Sequence, residues 1–321
     1  MNFLNLRYFL VAAEELNFTK AANRLFISQQ SLSNHISKLE EYFGAPLFDR
    51  TPPLTLTKEG ECLVRHAKKI LQIRDNALTE IHDIKDSKSG DLVIGCTRLW
   101  GRAILPQIMT EYRRRFPSIR LRLMEANTTE VETSLRSGKV DISVGYVPND
   151  QTDLSVVALC QEITVLMVPD SVLEQYHPGR VRETKLALKS SGDISLVADC
   201  PFMTMYPSTT LGATTEHIFK SVGINPPIVL QSGSIGTLLS MCFEGMGCIL
   251  CPEIMASHAL FEKKISFSDT IGIYPLNFSE AKRVISINHL KGKYLPQAAV
   301  SFIDLAKECV ATKPITISHL L

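Results

Sequence analysis

Apolar residues recur at helical spacing from the first turns of the chain. Leu6, Phe9, Leu10 and Ala13 form an i, i+3, i+4, i+7 stripe, which predicts an amphipathic helix. A second short helix is predicted from about Phe18 to Leu25, with Asn17 as its N-cap and Ala21, Ala22 and Leu25 as its buried face. Phe26 and Ile27 then make a tight connection. Ser28 caps a third helix, in which Leu32, Ile36, Leu39 and Phe43 are spaced four, three and four apart. Gly44 stops it at the C′ position. Two short helices joined by a tight turn, with another helix behind, have the form of a helix-turn-helix. Phe48 to Leu56, with Pro52 and Pro53 between short apolar pairs, reads as a β-hairpin wing, and Thr57 and Gly60 lead into the next helix.

Residues 61–88 continue at helical period without Pro, and without Gly after Gly60. Leu63, Ile70, Ala77 and Ile84 recur every seven residues, and Ala67, Arg74 and Ile81 follow the first three of them by four. This is an a/d seam with one polar intrusion. A helix packed on its own domain gives a similar pattern. The length of the helix and its place between two domains favour a dimer seam. From residue 90 the pattern changes to short β-rich runs alternating with helical ones. The predicted strands are Leu92–Cys96, Ile119–Met124, Ile142–Tyr146, Thr164–Val168, Ser195–Val197, Ile228–Gln231, Cys248–Cys251, Ile271–Tyr274 and Val284–Asn288. Such alternation predicts α/β architecture with parallel strands and crossover helices, long enough for two subdomains.

Composition narrows the choice. The chain has 321 residues, 45% of them apolar and 21% charged, which excludes general disorder. Its net charge is +1, so a polybasic nucleic-acid coat is excluded and any DNA contact is local. Between Thr19 and Arg50, four basic residues (Lys20, Arg24, Lys38, Arg50) face three acidic ones (Glu40, Glu41, Asp49). Phosphate attraction from one copy is therefore weak, and two copies on one DNA would help. No apolar run approaches the ~20 residues that span a bilayer, and Tyr8 to Ala13 is too short for a signal peptide. The expectation is a cytoplasmic protein with no membrane partner. The eight scattered cysteines read as reduced thiols.

The third helix carries chemistry on the face opposite its apolar stripe. Gln30, Asn34 and Ser37 lie there, flanked by Ser31, Ser33 and Lys38. A solvated helix face is usually rich in Glu and Lys. Short amide and hydroxyl side chains instead suit base edges in the major groove, where Gln or Asn pairs bidentately with adenine. Arg50, at the wing, suits a phosphate.

At this point the residues resemble a known family. Leu6, Phe9, Phe18, Thr19, Ala21, Ala22, Leu25, Ser28, Gln29, Ser33, Ile36, Leu39, Glu40, Gly44, Leu47, Phe48, Arg50, Leu56, Thr57 and Gly60 follow the N-terminal signature of LysR-type transcriptional regulators. Leu92–Gly95, Leu105-Pro106, Phe116-Pro117, Gly138 with Asp141, Gly245 with Gly247, and Pro252 stand in the family's order. The resemblance implies an α/β protein with three parts. Residues 1–60 are a winged helix-turn-helix domain, and 61–88 are a linker dimerisation helix. Residues 90–312 are a two-subdomain effector-binding domain of periplasmic-binding-protein type. Subdomain I covers about 90–161 and 268–312, and subdomain II about 162–267. The implied partners are double-stranded DNA with a dyad-symmetric operator, further copies of the chain in a homodimer or homotetramer, and RNA polymerase. The DNA-binding set is Thr19, Gln29, Gln30, Ser31, Ser33, Asn34, Lys38 and Arg50. Gln30 departs from the family, which often has Pro there.

Ligands in open α/β folds bind beyond the carboxyl ends of strands. That rule selects Thr97, Leu99 and Trp100 after the first strand, Thr128 after the second, and Cys200, Phe202 and Thr204 in the other subdomain. The resemblance puts Thr97 and Thr128 first, then Thr204 and Phe202. It also departs at Leu99, where the family often has Ser or Thr. Asn127 and Glu130 fit a capping box beside Thr128. Helix N-termini favour an anion, so the expected ligand is a small organic anion acting as effector, with no other cofactor. Trp100 and Leu99 suggest an apolar portion in it.

Other chemistry is thinly supported. Cys248-x-x-Cys251 sits in an apolar strand-like run that places the two thiols on opposite faces, unlike a redox pair at a helix N-terminus. Cys200 lies near where peroxide-sensing relatives carry a reactive cysteine, yet no Cys stands within forty residues except Cys160. His177, His217 and His258 show no metal-ligand spacing, so no metal is expected. An α/β enzyme is the main rival, but no phosphate-binding, dinucleotide-binding or nucleophile-elbow motif occurs, and no catalytic residue is assigned. A periplasmic solute-binding protein is opposed by the first 88 residues and by the lack of a signal peptide.

Overall fold

A computed structural model describes residues 2–85, 90–263, 270–278 and 281–312. The chain divides into an N-terminal unit, which takes in residues up to 85 and also 292–294, and a C-terminal unit of the other described residues from 90 onward.

In the N-terminal unit, α1 spans Phe3–Glu15, α2 Phe18–Arg24 and α3 Gln29–Phe43. Each start has a side-chain cap. Asn2 Oδ1 accepts from Asn5 N–H at 2.8 Å, Asn17 Oδ1 from Lys20 N–H at 3.0 Å, and Ser28 Oγ from Ser31 N–H at 3.1 Å. Gly44, at φ +66°, ends α3 in the left-handed conformation that glycine adopts freely. The wing forms as β1 (Phe48–Asp49) paired antiparallel with β2 (Thr55–Leu56). The apolar stripes meet in one core of Leu6, Phe9, Ala12, Ala21, Ala22, Leu32, Ile36, Leu39, Leu47 and Phe48. Each large side chain there contributes about 1.5–3 kcal/mol on burial. Phe48 ties the wing to the helices, meeting Phe9 and Phe18 edge-on with ring centroids at 5.6 and 5.1 Å. Phe43 is the exception in its stripe, since it is 43% exposed at the last turn of α3.

The long helix α4 runs Lys58–Lys85. Gly60 is required at its first turn, because a Cβ there would stand 2.1 Å from the Leu47 carbonyl oxygen. The heptad pattern divides along this helix. Leu63 and Ala67 are buried in the core just described and Ile70 packs against it, so these three positions serve their own domain. Arg74 lies over the Phe3 ring at 5.4 Å and pairs with Asp75. Beside and beyond it Ile73, Leu78, Ile81 and Ile84 are exposed, Ile84 by 79%.

The C-terminal unit continues with β3 (Gly90–Cys96), α5 (Arg98–Ala103), α6 (Leu105–Arg115), β4 (Ile119–Glu125), α7 (Thr128–Arg136), β5 (Ile142–Tyr146) and β6 (Leu154–Pro169). Then come α8 (Asp170–Tyr176), α9 (Val181–Ser191), β7 (Phe202–Met205), α10 (Thr210–Val222), β8 (Ile228–Ser232) and α11 (Ile235–Phe243). It closes with β9 (Ile249–Pro252), α12 (Glu253–Lys263), β10 (Ile271–Pro275), β11 (Lys282–Leu290) and α13 (Gln297–Thr312).

The main sheet has the order β10-β6-β11-β5-β3-β4, with β9 also on β6. β3 runs parallel to β4 and β5, while β11 is antiparallel to both β5 and β6. β6 is the element that joins two halves. Its Leu154–Ile163 stretch pairs with β11, and Thr164–Pro169 pairs with β9 and β10. β7 and β8 form a separate parallel pair, linked to the rest through a Phe202–Cys248 bridge. One core lies around β3, β5 and α13 and continues beneath α11; a second, around Val172, Leu188, Phe202 and Ile218, belongs to the β7–β10 half.

Three strand expectations change. Ser195–Val197 lies in a 3₁₀ turn, Ile194–Val197, with the Asp193 side chain accepting from Ser195 N–H; among the described residues no partner strand holds so short a run extended. Thr164–Val168 is the end of a strand three times as long, whose first part is masked in the sequence by Ser155, Gln161 and Glu162. A strand also stands at Phe202–Met205, where a loop was expected. β10, expected among residues returning to subdomain I, pairs instead with Val165–Pro169.

Candidate functional site

On α3 the polar face stands clear of the core. Gln29, Gln30, Asn34, Ser37 and Lys38 are exposed, and Ser31 and Ser33 are half-buried. The buried Leu32, Ile36 and Leu39 fix which face turns outward. A polar contact missed from the sequence steadies the helix: His35 Nδ1 lies 2.8 Å from Oδ1 of the buried Asn5 on α1, with Tyr8 edge-on to the imidazole. Thr19, exposed on α2, donates to Gln29 Oε1 at 3.2 Å, so one amide of the face is oriented by the neighbouring helix. Arg50 extends from the wing, donates to Glu40 Oε2 at 3.0 Å and lies over the Phe18 ring, 6.0 Å from its centroid. Glu40 also accepts from the Leu47 backbone N–H at 2.9 Å, so this carboxylate positions the wing and its arginine together.

In the C-terminal unit, side chains from both halves approach one another. Thr128 and Thr210 begin α7 and α10, and their hydroxyl oxygens are 3.4 Å apart. Asn127 caps α7 by accepting from Glu130 N–H at 2.9 Å, which leaves the Thr128 hydroxyl outside the capping role. Thr97 is the N-cap of α5 but makes no capping hydrogen bond. Thr204, on β7, is buried and accepts from Gln231 Nε2 at 3.3 Å.

A buried polar network lies where β6 passes between the halves. Tyr146, at the end of β5, donates to Glu162 Oε2 at 3.2 Å. Arg283 of β11 stands 3.7 Å over the Tyr146 ring and donates to Thr214 Oγ1 on α10 at 3.3 Å. Glu162 is 3% exposed, and burial raises its carboxyl to about 7. The Tyr146 hydrogen bond, Arg283 and the Glu253 backbone N–H act in the opposite direction and are outweighed. Glu162 Oε1 and Thr164 Oγ1, two residues apart on one face of β6, have no hydrogen-bond partner among the described residues. Sequence reasoning missed Tyr146, Glu162, Thr210, Thr214 and Arg283. The available signal was a glutamate and an arginine inside otherwise apolar strands.

Three of the residues expected at an effector are packed within hydrophobic cores. Trp100 is 1% exposed, because it packs in the main core with its ring edge-on to Tyr146 at 5.2 Å. Phe202 and Cys200 are fully buried in the second core, since β7 starts at Phe202 and turns it inward against Phe219. Leu99 is half-buried against the main core.

Cys200 has other company. His177 Nε2 lies 3.8 Å from its sulfur and 3.0 Å from Asp199 Oδ1, and His177 Nδ1 lies 3.1 Å from Thr184 Oγ1. These residues are far apart in sequence, which is why no ligand spacing showed. The Cys248 thiol is pushed far up by its hydrogen bond with Cys200 and by burial. Cys248 and Cys251 fall in different cores, as strand alternation requires.

Comparison with known proteins decides the family. The model for "Bacterial regulatory helix-turn-helix protein, lysR family" matches residues 3–61, and that for "LysR substrate binding domain" matches residues 85–310. The chain belongs to the LysR-type transcriptional regulator family. It is a DNA-binding regulator with an effector-binding substrate domain, and not an enzyme. Among its relatives in Bacillus subtilis, the HTH-type transcriptional regulator CysL is 27% identical over 88% of this chain and 89% of its own. The uncharacterized HTH-type transcriptional regulator YcgK is 27% identical over 96% of this chain and 94% of its own. Full-length OxyR C199D from Pseudomonas aeruginosa shares the fold with a TM-score of 0.63 at 20% identity, covering 98% of this chain and 96% of that one. The full-length CbnR structure complexed with its target DNA gives a TM-score of 0.54 at 20% identity, covering 96% and 99%. Among the described residues, no helix of this LysR-type regulator is long and apolar enough to cross a membrane.

Proposed function

We propose that this regulator reads an operator through the outer face of α3 and answers to a small organic anion held between the two halves of its C-terminal unit. The observation that carries the DNA reading is the exposed, nearly uncharged face of Gln29, Gln30 and Asn34, backed by buried Leu32, Ile36 and Leu39. Amides on a rigid helix discriminate bases by paired hydrogen bonds, while Lys38 and Arg50 supply phosphate contacts. Thr19, Ser31 and Ser33 complete that surface.

The effector reading rests on Thr128 and Thr210 at facing helix starts, with Thr97 and Thr204 completing the set. Backbone N–H groups and the helix dipole at those starts favour a carboxylate or phosphate. Arg283, bonded to Thr214, adds a cation that links the halves. A ligand touching both halves shifts their equilibrium only through its differential affinity for the two states. The exposed Ile73, Leu78, Ile81 and Ile84 on α4 support pairing of two chains, which matches a dyad-symmetric operator for a cytoplasmic dimer or tetramer that works with RNA polymerase. A gel shift with DNA upstream of its own gene, beside a thermal-shift screen of small carboxylates, tests the proposal. Specific retardation and at least one stabilising carboxylate are expected. Equal affinity for unrelated DNA contradicts the operator reading, and stabilisation only by uncharged ligands contradicts the anion reading.

A further inference from the structure

The C-terminal unit brings three donors of different chemistry to one point outside the proposed effector cleft. His177 follows α8, while Asp199 and Cys200 lie between the 3₁₀ turn and β7. His177 Nε2, Asp199 Oδ1 and Cys200 Sγ all lie within 4.8 Å of one another. We propose that they bind a borderline-soft divalent cation, with Zn²⁺ as the best match.

The triangle has the size of a coordination face. Zn–S near 2.3 Å and Zn–N or Zn–O near 2.0–2.2 Å place tetrahedral donors about 3.6 Å apart where sulfur is involved and about 3.4 Å apart for nitrogen and oxygen. The sulfur edges here are 3.8 Å to His177 Nε2 and 3.9 Å to Asp199 Oδ1, and the nitrogen–oxygen edge is 3.0 Å. The short edge is a hydrogen bond, so without metal one proton holds the imidazole and carboxylate together. A cation takes the place of that proton, which moves from Nε2 to Nδ1, and of the Cys200 thiol proton, which is released to solvent or buffer on binding.

The surroundings suit such an exchange. With Nε2 on a cation, the imidazole carries its proton on Nδ1, where Thr184 Oγ1 at 3.1 Å accepts it. A second partner of this kind fixes the tautomer of a ligating histidine. His177 and Cys200 are buried, and Asp199 is exposed, so two donors are preorganised and the third stands at the entry. Three protein donors leave one position for water on the Asp199 side. A thiolate with an imidazole selects zinc over calcium or magnesium, which prefer all-oxygen shells. Bound there, the ion clamps the end of α8 to the segment entering β7, the strand that carries Thr204.

The test uses full-length protein, reduced and freed of metal, titrated with Co²⁺ alone and then with Zn²⁺. One equivalent of Co²⁺ should give a thiolate-to-cobalt charge-transfer absorption, and Zn²⁺ should abolish it while raising Tm. Cys200→Ser should lose the absorption, His177→Gln should weaken binding tenfold or more, and Cys62→Ser, which changes an exposed cysteine elsewhere, should leave both unchanged. Should the buried substitutions fail to fold, Asp199→Asn at the exposed corner should keep the metal-free Tm and weaken Zn²⁺ binding. Absence of the absorption in the unsubstituted protein, its survival in folded Cys200→Ser, or unchanged Zn²⁺ affinity in Asp199→Asn overturns the proposal.

Discussion

On α3, the polar side chains proposed to meet DNA stand on the surface of a helix whose other face is packed through Leu32, Ile36 and Leu39. In the C-terminal unit, Tyr146, Glu162 and Arg283 meet inside the protein, brought there by β5, β6 and β11. The first arrangement needs one rigid element and pays little desolvation. The second needs several elements to converge, and it shifts a carboxyl to about 7. The difference teaches that the proposed DNA surface is built by leaving polar groups out of the core. The polar network of the C-terminal unit is built by keeping some within it.

The largest effect separates the units themselves. Phe9→Ala removes a fully buried ring from the N-terminal core and should cost that unit about 3–5 kcal/mol. Calorimetry should show the loss in one transition while the transition of the C-terminal unit stays in place. Equal losses in both would show that the units do not fold separately.

The next effect concerns the buried carboxyl. The Glu162 pKa in the folded protein, about 7, lies above its ordinary value of 4.5. The folded state therefore binds more protons than the unfolded state between these values. Its contribution to stability is present at low pH and is lost as pH rises through about 7, by on the order of 3 kcal/mol. Glu162→Gln should flatten urea-derived stability between pH 5 and 8 and should gain on the unsubstituted protein at pH 8. An identical slope in both proteins would contradict the burial argument.

Two smaller effects sharpen the comparison. Ile81→Glu with Ile84→Glu changes only exposed positions on α4, so each chain should stay folded while sedimentation shows dissociation to monomers. An intact dimer in this variant would move the seam elsewhere. Thr128→Val keeps side-chain shape and removes one hydroxyl. It should weaken a carboxylate found by screening about fivefold, the worth of one hydrogen bond of ~1 kcal/mol, and leave operator binding unchanged. Unchanged affinity by calorimetry would remove Thr128 from the effector set.

The N-terminal unit was legible because its signals are local. Asn17, Ser28 and Gly44 cap or stop helices at the predicted places, and the stripe Leu32, Ile36, Leu39 fixes the outer face of α3. The limits appear where one pattern has two uses. Leu63, Ala67 and Ile70 follow the same heptad as Ile84, yet the first three pack on their own domain. In the C-terminal unit most strands were legible from apolar runs. The 3₁₀ turn at Ile194–Val197 was not, because three apolar residues around Ser195 carry no sign of whether a partner strand exists. Cys200 and Phe202 were misplaced by the same error, since the true strand begins after them or at them. Contacts between distant segments, such as Thr128 with Thr210 or His177 with Cys200, have no signature in spacing.

The central claim is that α3 reads bases through its exposed amides. Selection from an operator library by the unsubstituted protein, Gln30→Ala and Asn34→Ala tests it most directly. Each variant should lose preference at its own base pair in each half-site, by ~1–3 kcal/mol for a bidentate contact, while the preferences at other positions persist. Unchanged base preferences in both variants would contradict the account.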